Sequence, residues 1–303
     1  MPVYNITHKT HYRYEEPVSL CHNEIRMLSR EFPHQRSLKT EVHINPQASI
    51  YSEREDFFGN RVAYFSVERP HALLEIVVNN IVETVSQPPV NFKDSPAWDD
   101  MCHWLETGGN AECFELREFC HPSPKVPLLP GMKDYALISF LPGRPVLEAA
   151  MDLTSRIFKD FIFDPKATDV STPLSKVWQQ KRGVCQDFAH VGIACLRSLG
   201  LPARYMSGYL ETLPPPGKPK LIGVDMSHAW FSVGVPQLGW FDFDPTNNQM
   251  PSSRHISIAW GRDYSDVTPL KGIIFGGGDK QELKVSVDVS RRPDRTSGLL
   301  LRP

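Results

Sequence analysis

Within the stretch RGVCQDFAH, Cys185 stands at the head of a run in which Phe188, Val191, Cys195 and Leu199 fall on one side of a helix. At the first turn of a helix the unpaired backbone N–H groups and the macrodipole favour negative charge. A cysteine placed there can act as a nucleophile, because the thiolate is the reacting form. The same residue also fits a second description, that of a small buried hydrophobe. Cys195 takes that second description, since it lies mid-helix, ten residues on, with no dipole to help it.

A cysteine nucleophile needs an imidazole to take its proton and a third group to fix the imidazole's tautomer. His228 opens the strand-like run HAWFSV, and Asp244 closes the next one, GWFDFDPTNN. Two antiparallel strands joined by the short PQLG turn bring the start of one beside the end of the other. Asp242 competes with Asp244 for the third role, and alternation puts both on one face. Only Asp244 directly precedes the chain-turning PTNN.

Several elements must position these groups. Val146, Ala149, Ala150, Leu153, Ile157 and Phe161 share one helical face, and STPLSKVWQQ suggests a shorter helix with Ser171 or Thr172 as cap and Pro173 in its first turn. The helix opened by Cys185 is apolar nearly all round and therefore buried. ARYMSGYL, HAWFSV and GWFDF follow as strands, the first two separated by the proline-rich LPPPGKPKLIG. Helices first and strands after predict an α+β domain. Residues 1–88 read as several short strands, a β-sandwich or barrel, with a Gly59-Asn60 turn in FFGNRV because both residue types tolerate positive φ. SQPPVNF marks a boundary. The expected division is a β-rich N-terminal domain (1–88), a partly helical connecting region (89–145) of weak pattern, a catalytic core (146–270), and a tail (271–303) in which LKVSVDV forms a strand that must pair at a distance.

RGVCQDFAH, SGYL, HAWFSV and GWFDFDPTNN, in that order, resemble the transglutaminase-like superfamily. HKTHYRYEEPV, RMLSREFPHQ and DFFGNRV resemble the β-rich N-terminal domain of its bacterial transglutaminase-like family, and GRDYSDVTPLKGIIFGGG resembles that family's C-terminal segment. The resemblance implies a papain-like core with Cys185 as nucleophile, His228 as general base and Asp244 as orienting carboxylate. Gln186 stands where the family's form GVCRDFAH has a basic residue, which bears on substrate preference. The implied chemistry is acyl transfer on a peptide or amide bond through a thioester. Water as acceptor makes a cysteine protease or amidase, the expected activity, and an amine acceptor makes a transglutaminase. The rival from another class is a binding module that keeps the fold without the chemistry, against which an intact Cys, His and Asp argue.

Other groups weigh less. An oxyanion hole would use the Cys185 backbone N–H and a donor from Trp178, Gln179 or Gln180. Asp187 and His190 could support the site or simply bond backbone. The pairs Cys102-His103 and Cys120-His121 lack zinc-site spacing, FGGGD lacks the dinucleotide fingerprint, and the scattered His8, His11 and His22 suggest no chemistry. No cofactor or metal is expected. A net charge of −2, with Lys+Arg at 33 and Asp+Glu at 35 and no long run of either sign, gives no footprint for nucleic acid or anionic lipid. The polar amino terminus and the absence of an eighteen-residue apolar run lead to the expectation of a cytoplasmic protein. Six cysteines without a pairing pattern suggest free thiols in a reducing compartment.

Overall fold

The computed structural model describes residues 1–85, 89–212 and 225–293. The N-terminal part is one curled sheet of β1 (Val3–Ile25), β2 (Gln35–Asn45), β3 (Ile50–Glu55), β4 (Arg61–Val67) and β5 (His71–Thr84), in the order β2-β5-β1-β4-β3. Its alternating pattern turns Val18, Cys21, Ile25, Phe65, Leu74, Ile76 and Val78 into a shared core. In the β3–β4 hairpin Gly59 takes the left-handed conformation at φ 69°. Asn60 departs from the expectation: its φ is not positive, and its buried amide is used for hydrogen bonding instead. Nδ2 donates to the carbonyl of Trp260 over 2.8 Å, and Oδ1 accepts from the Trp260 N–H over 2.9 Å.

Between the N-terminal sheet and the core, the segment of weak pattern holds three short helices, α1 (Trp98–Thr107), α2 (Ala111–Arg117) and α3 (Met132–Leu137). The core begins with α4 (Val146–Asp160), whose Val146, Ala149, Ala150, Leu153 and Ile157 are buried as their spacing predicts. A two-residue strand β6 (Ile162–Phe163) follows, then α5 (Leu174–Gln180), β7 (Arg182–Gly183) and α6 (Cys185–Ser198). Pro173 is the N-cap of α5 rather than part of its first turn. Ser171 and Thr172 do not cap it, because both hydroxyls are drawn to the Asp169 carboxylate.

Four antiparallel strands complete the core: β8 (Ala203–Leu210), β9 (Ser227–Val235), β10 (Gly239–Phe243) and β11 (His255–Gly261), in the order β10-β9-β8-β11. Helix α6 lies on this sheet and is buried from Asp187 to Arg197. The approach is close because position 192 is glycine: a Cβ there would come within 2.6 Å of the Phe231 ring. The proline-rich segment expected before β9 lies at 213–223, outside the described residues, as do residues 86–88 of the expected boundary.

The tail supplies β12 (Leu270–Gly276) and β13 (Gln281–Arg291), two strands where one was expected. Both pair with β1, β13 over residues 4–14 and β12 over 18–25. The chain therefore returns to the sheet from which it set out. Tyr4, Ile6 and Val82 of the N-terminal sheet meet Val287 and Val289 of the tail and Tyr209, Ile256 and Ile258 of the core in one apolar cluster. Polar contacts cross the same seam. Gln35 donates to the Ser257 carbonyl over 2.8 Å and accepts its N–H over 2.9 Å, and Thr84 donates to the Ser253 carbonyl over 2.7 Å. Among the described residues no helix is long and apolar enough to cross a membrane.

Candidate active site

The chain before Cys185 is held on both sides. Strand β7 pairs in parallel with β6, matching Gly183 to Phe163. Position 183 must be glycine, since a Cβ there would sit 2.5 Å from the Asp187 carboxylate. That carboxylate folds back over the start of α6, where Oδ2 accepts the Val184 N–H over 2.8 Å and the Thr168 hydroxyl over 2.6 Å. Asp187 is thus the anchor of the turn that delivers Cys185 to the first position of α6. His190, one turn further on, accepts the Tyr264 N–H at Nε2 over 3.2 Å. Burial pushes its pKa down to about 3, so the ring is neutral and structural.

Cys185 is half-buried, and it acts on the imidazole of His228, the second residue of β9, by raising its pKa. The other face of that imidazole meets Asp244: Nε2 lies 2.8 Å from Oδ2. Asp244 leaves β10 just after the last ladder pair, Phe243 with Phe231, and a bridge to Gln249 closes the PTNN turn behind it. In that turn Oδ1 accepts the N–H groups of Thr246 and Asn247 over 3.0 and 3.2 Å. Oδ2 also accepts the Asn247 side-chain amide over 2.7 Å and meets the imidazole of His255, Nε2, at 3.0 Å.

Asp244 is fully buried. Burial alone would push its carboxyl up, but the bonds from His228, His255 and Asn247 hold it well below the ordinary carboxylate range. For His228 burial works downward, and Asp244 and Cys185 outweigh it, raising the imidazole to about 10. The site therefore favours a protonated imidazole beside the sulfur. Cys195 shows the contrasting case: wholly buried on the same helix, its thiol is pushed up to about 12 by desolvation. All six cysteines are free.

Asp242 points elsewhere. Its Oδ2 accepts the Trp230 indole N–H over 3.1 Å. Of the expected oxyanion donors, Trp178 is packed in an aromatic cluster with Tyr135 and Phe161 and carries the Lys181 ammonium 3.0 Å above its ring. Gln179 and Gln180 are exposed at the end of α5. His255 had no spacing signal in the sequence. Its one mark is a place at the start of a strand, close to where His228 stands in its own.

His228, Asp244 and His255 are also the one group among the described residues whose donor atoms could surround a metal ion, all lying within 4.8 Å of one another. The hydrogen bonding does not suit a metal. The Ser252 N–H donates to His255 Nδ1 over 3.2 Å, which leaves the ring proton on Nε2, the atom that would have to ligate.

Residues 4–83 match the family described as the bacterial transglutaminase-like N-terminal region, and residues 141–245 match the transglutaminase-like superfamily. An uncharacterised protein of Mycobacterium tuberculosis is 40% identical over 293 residues, covering 94% of this chain and 92% of its own. A protein-glutamine gamma-glutamyltransferase of Pseudomonas aeruginosa is 30% identical over 122 residues, 39% of this chain and 18% of that protein. A structure from Cytophaga hutchinsonii, provisionally assigned as a cysteine protease, shares the fold with a TM-score of 0.75 at 19% identity, covering 96% of this chain and 90% of the other. With both regions matched, the chain belongs to the transglutaminase-like superfamily, in the bacterial family that carries the transglutaminase-like N-terminal region.

Proposed function

We propose that this protein is a cysteine-dependent acyl-transfer enzyme that hydrolyses a peptide or amide bond through a thioester on Cys185. The observation that carries the reading is that one imidazole, His228, stands 2.8 Å from the buried Asp244 carboxylate and has its pKa raised by both that carboxylate and Cys185. His228 takes the thiol proton, and Asp244 fixes its tautomer and stabilises the imidazolium. The Cys185 sulfur then adds to the carbonyl carbon, and the carbonyl π electrons move to oxygen. The Cys185 backbone N–H, at the positive end of α6, faces the developing oxyanion. As the C–N bond breaks, the imidazolium gives its proton to the leaving nitrogen and a thioester remains. Water attacks that thioester with His228 as base, releasing the acid and returning the proton to sulfur.

Water is the acceptor we favour because Cys185 is only half-buried and open to solvent. Transfer to an amine is the second reading, favoured by the partial similarity to the Pseudomonas transglutaminase. One experiment separates them. The purified protein is incubated with a library of short peptides and small amides, with and without a primary-amine acceptor, and product masses are read directly. Hydrolysis predicts free acids in both conditions. Masses of amine adducts in place of acids would establish the transglutaminase reading, and no product from any member would overturn both.

A further inference from the structure

The carboxylate that meets His228 meets a second imidazole as well. His255 opens β11, which flanks β8 on the side away from β9. Its side chain is 2% exposed, and its Nε2 reaches Asp244 Oδ2 at 3.0 Å. Because Nδ1 accepts the Ser252 N–H, the proton of the neutral ring resides on Nε2 and is donated to Asp244. The ring is also held in place. Trp230 packs edge-on against it, with centroids 5.3 Å apart at 85°, and the Trp230 indole is itself tied to Asp242. Trp230 can lie there because residue 208, between the two strands, has no side chain: a Cβ at Gly208 would come within 2.8 Å of the indole.

We propose that His255 is a positioning residue: its Nε2–H, directed by Ser252 and Trp230, holds the Asp244 carboxylate in the orientation that meets His228. The inference rests on the reading of Cys185, His228 and Asp244 as the reacting groups. It also gives Asp242 a place, as the anchor of the tryptophan that supports His255. The groups facing His228 are Cys185 from α6, Asp244 and Asn247 from the turn after β10, Trp230 two residues on along β9, and His255 across the sheet.

Removing the His255 donor has two opposed consequences. More negative charge stays on Oδ2 for His228, which raises the His228 pKa, and the carboxylate is freed to turn away, which lowers it. A positioning role means that the second wins. The test uses the full-length chain with ring-labelled histidine, titrating His228 by NMR in the wild type, His255→Phe and His255→Gln. Glutamine can present an N–H near the histidine Nε2, and phenylalanine cannot. We expect His255→Phe to lower the His228 pKa by about one unit or more and His255→Gln to restore it. On an amide substrate, kcat should fall roughly tenfold or more in His255→Phe with KM unchanged, again recovered by glutamine. An unchanged or raised His228 pKa in His255→Phe, or equal behaviour of the two variants, overturns the proposal. The wild type gives an independent reading should a variant fail to fold: ring nitrogen shifts must show His255 protonated at Nε2 and bare at Nδ1, and the opposite tautomer overturns it as well. These NMR readouts need no substrate, so a protein without acyl-transfer activity would sink the proposed function while leaving this test standing.

Discussion

The Nε2 of His228 stands 2.8 Å from Asp244 Oδ2, although the two residues are not partners in the β9–β10 ladder. Asp244 has left the strand, and the PTNN turn rather than the sheet aims its carboxylate. Asp242, two residues earlier, stays in the ladder and bonds Trp230. Replacing Asp244 by Asn should therefore lower kcat by roughly a hundredfold or more with the fold retained. Asp242→Asn should cost much less, since an amide oxygen can still accept the indole N–H. Steady-state kinetics on the two variants, with thermal melts as control, checks this, and a reversed order would assign the orienting role to Asp242.

Alkylation separates the two cysteines of α6. Cys185 is half-buried beside an imidazole held near a pKa of about 10, whereas Cys195 is enclosed and its thiol is pushed up to about 12. Iodoacetamide at neutral pH should label Cys185 well before Cys195, as read by peptide mass spectrometry. Cys185→Ala should abolish turnover while changing stability by no more than about 1 kcal/mol.

The raised pKa of His228 has a defined sign. Protonated in the folded state up to about pH 10 and neutral in the unfolded state above its ordinary value near 6.5, His228 adds stability that is fully present below 6.5 and is lost as pH rises through 10. The stability difference between wild type and His228→Gln should shrink across that window in denaturant titrations. Catalysis needs the imidazolium to protonate the leaving group, so the alkaline limb of the rate should lie well above neutrality, and Asp244→Asn should move it to lower pH.

Close packing of α6 on the sheet predicts a cost for small additions. The Cβ of Gly192→Ala would have to displace the Phe231 ring, which is itself buried and stacked on Phe243. A loss of about 1–3 kcal/mol in denaturant unfolding is expected. A variant as stable as the wild type would mean that the helix can lift from the sheet without penalty.

The N-terminal sheet is bound to both the core and the tail. Deleting residues 1–88 would strip β12 and β13 of their partner β1 and expose Ile256, Ile258, Val287 and Val289. The remaining 89–303 chain should be insoluble or inactive, because unpaired edges and apolar surface invite association. A soluble fragment with full kcat/KM would make the sheet a detachable module.

The positions of Cys185, His228 and Asp244 were legible because each stands at the end of an element, where a helix start, a strand start and a turn leave marks in residue type. The amphipathic α4 was legible for a different reason, its apolar spacing being long enough to exceed chance. The three helices between residues 98 and 137 were legible only as a partly helical region, since six to ten residues carry too few periods and α2 mixes Glu and Phe without a clean face. Asn60 looked like a turn residue by type, yet its amide serves an interaction with Trp260 that lies 200 positions away. His255 left only its place at the start of a strand, because its partners Ser252, Asp244 and Trp230 converge through the sheet and not through spacing.

In the proposed reaction the Cys185 sulfur carries the acyl group. Exposing the protein to an activated ester of a short acyl-peptide, quenching in acid within the first turnover and mapping the adduct by mass spectrometry tests it most directly. One acyl group is expected, in thioester linkage on the peptide containing Cys185, lost on exposure to hydroxylamine and missing from Cys185→Ala. Turnover that persists in Cys185→Ala, or an adduct found on another residue, would contradict it.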